Sequence, residues 1–117
     1  MIDAIYPNGF SIGEKDHVYE IGQVIAERVL EGARGTILVR IGLPSPDPQP
    51  GGDWYCPVQV VGIGEDAVTP AFGVDPVQAL LHALQMAGIR LESVRRSDSS
   101  LSWLGDPDLG FPQTGMG

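Results

Sequence analysis

WYCPVQVVGIGEDAVTPAFGVDPVQALLHALQMAGIRL, residues 54–91, is the stretch whose reading decides the fold. Trp54, Cys56, Val58 and Val60 alternate with Tyr55, Pro57, Gln59 and Val61, the period of two that marks a strand. Gly62 to Asp66 reads as a turn, and Ala67 to Phe72 as a second, short strand. Pro57 and Pro70 have no backbone donor for a ladder, so both strands are expected at a sheet edge or a bulge. A helix follows. Asp75 is its N-cap, Pro76 occupies the first helical position, and Gln78 stands where a capping box needs it. Val77, Leu80, Leu81, Leu84, Gly88 and Leu91 fall on one stripe, so the helix over 75–93 is expected to bury that face. Gly88 costs about 1 kcal/mol relative to Ala unless a neighbour packs closely there. Arg90, Arg95 and Arg96 suit the negative pole of the helix.

Upstream, Ile37, Val39, Ile41 and Leu43 alternate with Thr36, Leu38 and Arg40, a second clear strand. Gly32-Ala33-Arg34-Gly35 joins it to VIAERVLE in the manner of a hairpin. Over residues 20–31 a short helix is the alternative, since Ile21, Ile25 and Val29 also have helical spacing; β-branched content and the short connection favour the strand. Pro44, Pro46, Pro48 and Pro50 alternate with other residues, which makes a stiff, extended loop ending at Gly51-Gly52. Residues 1–20 read as an N-terminal extension that adds at most an edge strand. Residues 97–117 shift to Ser, Gly, Asp and Pro and read as a flexible C-terminal tail, mobile or folding only against something.

Length and composition limit the class. One hundred and seventeen residues with 43% hydrophobic content form one domain, here the segment 21–96. No apolar run is long enough for a membrane span, and the N-terminus lacks the basic and apolar regions of a signal peptide. A single cysteine, Cys56, provides no disulfide framework and no cysteine-rich zinc site. The expectation is an acidic protein of a reducing compartment, the cytoplasm. The net charge is −8, and residues 44–75 carry Asp47, Asp53, Glu65, Asp66 and Asp75 with no base. Such a chain repels phosphate backbones, so nucleic acid is not an expected partner.

Few residues have the surroundings that chemistry needs. Cys56 as a nucleophile requires a base, and only His17 and His82 are available; a buried thiol packed as a small hydrophobe is the plainer reading. His82 has no carboxylate or second His at helical spacing, so it does not form a metal site. Gly62-x-Gly64 and Gly32-x-x-Gly35 do not open helices in the manner of phosphate loops. Asp47 and Asp53 have no third ligand for a calcium ion. No catalytic, cofactor-binding or metal residues are therefore assigned, and no enzyme activity or cofactor is expected. What stands out is the loop, where rigid prolines, acids and large aromatics meet. Pro46, Asp47, Asp53, Trp54 and Tyr55, with Trp103 in the tail, are the candidate partner-binding residues, because a preordered surface loses little entropy on docking.

VRIGLPSPDPQPGGDWYCPVQVVGIG followed by AFGVDPVQALLHAL resembles an uncharacterised family of small bacterial proteins, a domain of unknown function. Its pattern is IGxPxPDP…GDWxCP…AFGVDxxQAL, and the likeness spans about residues 36–92. The resemblance implies a bacterial cytoplasmic protein with the strand-loop-strand and helix read above, and carries no catalytic residues. The expected fold is α+β, a single antiparallel sheet of about four strands with one long amphipathic helix packed on one face. The expected function is that of a non-enzymatic protein-interaction module, immunity-like or accessory, with a protein partner or self-association. The alternative is a small-molecule-binding protein or enzyme with a pocket between sheet and helix, using Arg40 or His82 as the polar contact.

Overall fold

The computed structural model describes residues 18–113. Five strands precede one helix: β1 (Val24–Gly32), β2 (Gly35–Gly42), β3 (Ser45–Pro46), β4 (Trp54–Val61), β5 (Val68–Gly73) and α1 (Pro76–Arg95). Every pairing is antiparallel. β5 lies along one side of β4, while β2 and then β3 share the other, with Ile41 opposite Val58 and Ser45 opposite Tyr55. Five strands thus occupy four lanes, in an α+β fold with the helix on one face. Of residues 20–31, ambiguous by spacing, those from Val24 onward are strand, with an irregularity between Val24 and Ala26. An edge strand was expected within residues 1–20; residues 1–17 lie outside the described part, and Val18–Glu20 have no regular structure.

β4 corrects the expectation drawn from its proline. It is an interior strand, paired on both sides. Pro57 stands opposite Pro70, so the two residues without a backbone donor share one rung, where β2 gives way to β3. Gly42 makes room for the ring: a Cβ at that position would lie 2.5 Å from Pro57 Cγ. β5, by contrast, is paired on one side only, as expected.

One face of the sheet carries Leu30, Ile37, Val39, Ile41, Cys56, Val58, Val60 and Ala71, all buried. Leu43 falls beyond the end of β2 and is exposed. Asp75 caps α1 by accepting from Gln78 N–H at 2.8 Å, and Gln78 Oε1 accepts from Val74 N–H, one residue before the cap.

The helix is rotated from the expected orientation. Ala79, Ala83, Ala87 and Leu91 are its fully buried residues, four apart; Leu80 and Leu84 flank them half-buried, and Val77 and Leu81 are exposed. The reason is close approach. A Cβ on Gly73 would fall on the backbone nitrogen of Ala79, so the first turn of the helix sits directly on the end of β5. Only small side chains fit at that spacing, and the leucines are displaced to the flanks. Gly88 follows the same logic, since a Cβ there would come within 3.1 Å of Phe111 Cβ.

The helix lies over β4 and β5, and the segment after it covers the rest of that face. Residues 97–113, expected to be mobile or to fold only against something, run back against β1. Leu101 and Leu109 are buried in the core at 1% and 5% exposure, and Ser102 exchanges two backbone hydrogen bonds of 2.9 Å with Glu31. Arg28 of β1 holds the segment down. Its guanidinium sits 3.8 Å from the Trp103 ring centre and donates to the carbonyls of Leu109 and Gly110 at 3.0 and 3.1 Å.

Candidate functional site

The candidate residues meet at the end of the sheet where the proline loop enters β4, with Tyr55 on the face turned away from the helix. Odd positions of β4 point there, so Tyr55 and Pro57 lie beside Phe72 and Pro70 of β5. Tyr19 reaches over from the segment preceding β1. Its ring centre is 4.7 Å from that of Tyr55 and 5.9 Å from that of Phe72, in tilted and edge-on geometry. Its hydroxyl donates to Asp47 Oδ1 at 2.7 Å.

That bond ties the aromatic group to the proline loop, which is itself closed. Asp47 N–H donates to the Asp53 carbonyl at 2.9 Å, Gln49 N–H donates to Asp47 Oδ1, and Ser45–Pro46 pair with Tyr55 and Trp54 as β3. Gly51 and Gly52 turn the chain at φ of +129° and +74°, values that side-chain-bearing residues avoid. Burial, and then the bond to the Asp47 carboxylate, push the Tyr19 hydroxyl up to about 12. The hydroxyl therefore stays a donor throughout the physiological range.

Of the candidate residues, Pro46, Asp47, Asp53, Trp54 and Tyr55 are brought together at this end. Trp54 turns inward and packs against the core. Trp103 is not part of the group; it stacks on Arg28 at the β1 edge, across the sheet. Tyr19 and Phe72 belong to the site and were not among the residues singled out from sequence. Phe72 becomes visible once β4 and β5 are paired in register, but Tyr19 is 28 residues from Asp47 and carries no local signal.

The end is acidic. Glu20, Asp53 and Asp75 are exposed there with Asp47 close by, and among the described residues none of the four forms an ion pair with an Arg. Arg40 is bonded to Glu27 at 3.0 Å and to Gln59, on the side of the sheet opposite the helix; Arg90 is bonded to Glu65 at 2.9 Å. Arg40 is thus unable to line a pocket between sheet and helix, and His82 Nδ1 is engaged with the Phe72 carbonyl at 2.7 Å. A cleft of ≈ 170 Å³ does lie between sheet and helix, lined by Arg28, Val39, Ile41, Leu84 and Phe111, and neither Arg40 nor His82 belongs to it.

Cys56 is buried, its thiol donating to the Gly42 carbonyl at 3.3 Å, and burial pushes it up to about 11. Among the described residues, no three His, Cys, Asp or Glu side chains gather to hold a metal ion, and no helix is long and apolar enough to cross a membrane.

No curated protein and no solved structure matches the chain. A family model described as a domain of unknown function, DUF6968, matches residues 26–113, which takes in every strand lane, the helix and the returning C-terminal segment. The chain belongs to the DUF6968 family.

Proposed function

We propose that the protein is a non-enzymatic interaction module of the bacterial cytoplasm, immunity-like or accessory, that docks a protein partner at the end formed by Tyr19, Asp47, Asp53, Tyr55 and Phe72. The observation that supports this most is the Tyr19–Asp47 bond of 2.7 Å, which locks a proline loop onto an aromatic cluster before any partner arrives. Phe72 in that cluster is 43% exposed, and the loop's own backbone bonds leave Asp53 projecting into solvent. A surface with rigid aromatics and fixed loop geometry loses little conformational entropy on binding. Its partner carries basic residues around an apolar patch, to match the carboxylates around the rings.

A non-enzymatic role is supported by the state of the reactive groups, since the thiol is buried in its neutral form and His82 is held by a backbone carbonyl. The test is capture from bacterial lysate on the immobilised chain, with identification of the bound protein. Asp47→Lys combined with Asp53→Lys should release it, as should added salt, because exposed opposite charges are screened beyond about 8–10 Å. Capture unaffected by both changes rules out docking at this end.

A further inference from the structure

Among the described residues, four arginines are half-buried: Arg28, Arg40, Arg90 and Arg95. Arg40, Arg90 and Arg95 each have a glutamate oxygen within 3.3 Å, on Glu27, Glu65 and Glu92 respectively. Arg28 has no carboxylate partner among the described residues, in a chain with fifteen acids to seven bases. Its Nη1 donates to the carbonyls of Leu109 and Gly110, which uses both hydrogens on that nitrogen. Nε and Nη2 have no acceptor among the described residues, and their shared edge can grip a carboxylate with two parallel hydrogen bonds. The rings of Trp103 and Phe111, centred 3.8 and 4.9 Å from the guanidinium carbon, attract the charge without neutralising it.

Arg28 borders the ≈ 170 Å³ cleft between sheet and helix. Val39 and Ile41 line it from β2, Leu84 from α1, and Phe111 and Pro112 from the returning segment. All five are apolar. The other charged residue in the lining, Glu27, has its carboxylate bonded to Arg40 at 3.0 Å. The cleft therefore combines aliphatic and ring surface with one positive charge that has no counter-charge.

We infer that this cleft binds a small aliphatic carboxylate, its head group on Arg28 and its chain against Val39, Ile41 and Leu84. Charge complementarity selects the head group, because a half-buried cation without a counter-ion costs free energy and the planar fork of Arg matches a carboxylate. The lining selects the tail, since apolar carbons that enter it leave water. The volume sets the length: pockets for drug-sized ligands start at about 300 Å³, so a chain of a few carbons is what fits. Inorganic phosphate suits the cleft less well, as its remaining oxygens would face side chains that cannot donate. The site lies on the helix side of the sheet and the docking rings on the opposite face, so the two claims are independent.

The test is a titration of the full chain with butanoate, hexanoate and octanoate, followed by amide nitrogen–proton correlation spectra. Hexanoate is expected to move the resonances of Arg28, Val39, Leu84 and Phe111 saturably and to raise the melting temperature. Hexanol, which keeps the chain and lacks the charge, should bind about tenfold more weakly or worse, and inorganic phosphate should leave the cleft resonances in place. Ala26→Phe fills the cleft from an exposed position on β1, and should abolish the shifts while leaving the far-UV spectrum unchanged. Arg28→Lys keeps the charge and loses the fork, and should weaken hexanoate by about tenfold. Cleft resonances unmoved by all three acids overturn the inference. So does hexanol or phosphate binding there as tightly as hexanoate, or unchanged hexanoate affinity in either variant.

Discussion

Gly73→Ala tests the seating of the helix on the sheet. The added methyl would fall on Ala79 N and lie 2.8 Å from Gln78 C and 2.9 Å from Ala79 Cα. These are backbone atoms of the first helical turn, anchored by the Asp75 cap, so no side chain can rotate away. Either the helix lifts from β5 or the strand end distorts. Overpacking of a core typically costs about 1–3 kcal/mol, and with backbone on the receiving side the upper end of that range is expected. Against a total stability of about 5–15 kcal/mol this is a large fraction. In equilibrium urea denaturation, with a slope of about 1–3 kcal/mol per molar, the midpoint should fall by about 1–3 M. Ser99→Ala, at an exposed position, serves as the control. Ala79→Gly should not rescue the variant, because the atoms struck are the nitrogen and Cα that glycine retains. A loss below about 0.5 kcal/mol, the scatter of surface substitutions, would mean that α1 does not sit on β5 at this spacing.

Three further outcomes follow. Leu101→Ala removes a side chain 1% exposed and should cost about 2–5 kcal/mol by thermal or urea unfolding, whereas a mobile tail would give no measurable change. Tyr19→Phe deletes the donor to Asp47 and should destabilise by about 0.5–1.5 kcal/mol at neutral pH. Because the folded-state hydroxyl is raised to about 12 from the ordinary 10.0, the neutral form is the one that folding favours; its contribution is fully present below pH 10 and is lost as pH rises through 12. Denaturation of the two chains across that window should therefore show the gap between them closing, and a gap independent of pH would contradict the Tyr19–Asp47 bond. Cys56 should resist alkylation in the folded chain and react at a rate that tracks denaturant, since its thiol is buried; fast labelling in buffer would contradict the placement of β4.

The strands were legible where one face is buried and the other is not. Thr36 to Ile41 alternates in residue type and in burial because β2 is central and covered on one side. The edge assignment for β4 failed because a proline in an interior strand is tolerable when its partner is also a proline and a glycine lies beside it, a coincidence of three segments that no local window contains. The helix rotation was hidden for a related reason. Leucine outweighs alanine in any apolar pattern, yet the distance between helix and sheet, fixed by Gly73, decided which of them fits inside. The returning segment was hidden by composition, as its anchors, Leu101, Leu109 and Arg28, are scattered over distant positions. The acidic proline loop was visible as a cluster, but the two rings that complete the site come from Tyr19 and Phe72, joined only by tertiary contact.

The most direct test of the docking end is the salt and mutation dependence of partner capture. The immobilised chain, its Asp47→Lys/Asp53→Lys variant and its Leu81→Glu variant are exposed to the same bacterial lysate, and bound proteins are identified by mass spectrometry. A protein with a basic binding surface should be retained by the unmodified chain and by Leu81→Glu, and lost from the double lysine variant and at high salt. Retention of the same protein by the double lysine variant, with no effect of salt, would contradict a docking role for the Tyr19–Asp47–Tyr55–Phe72 end.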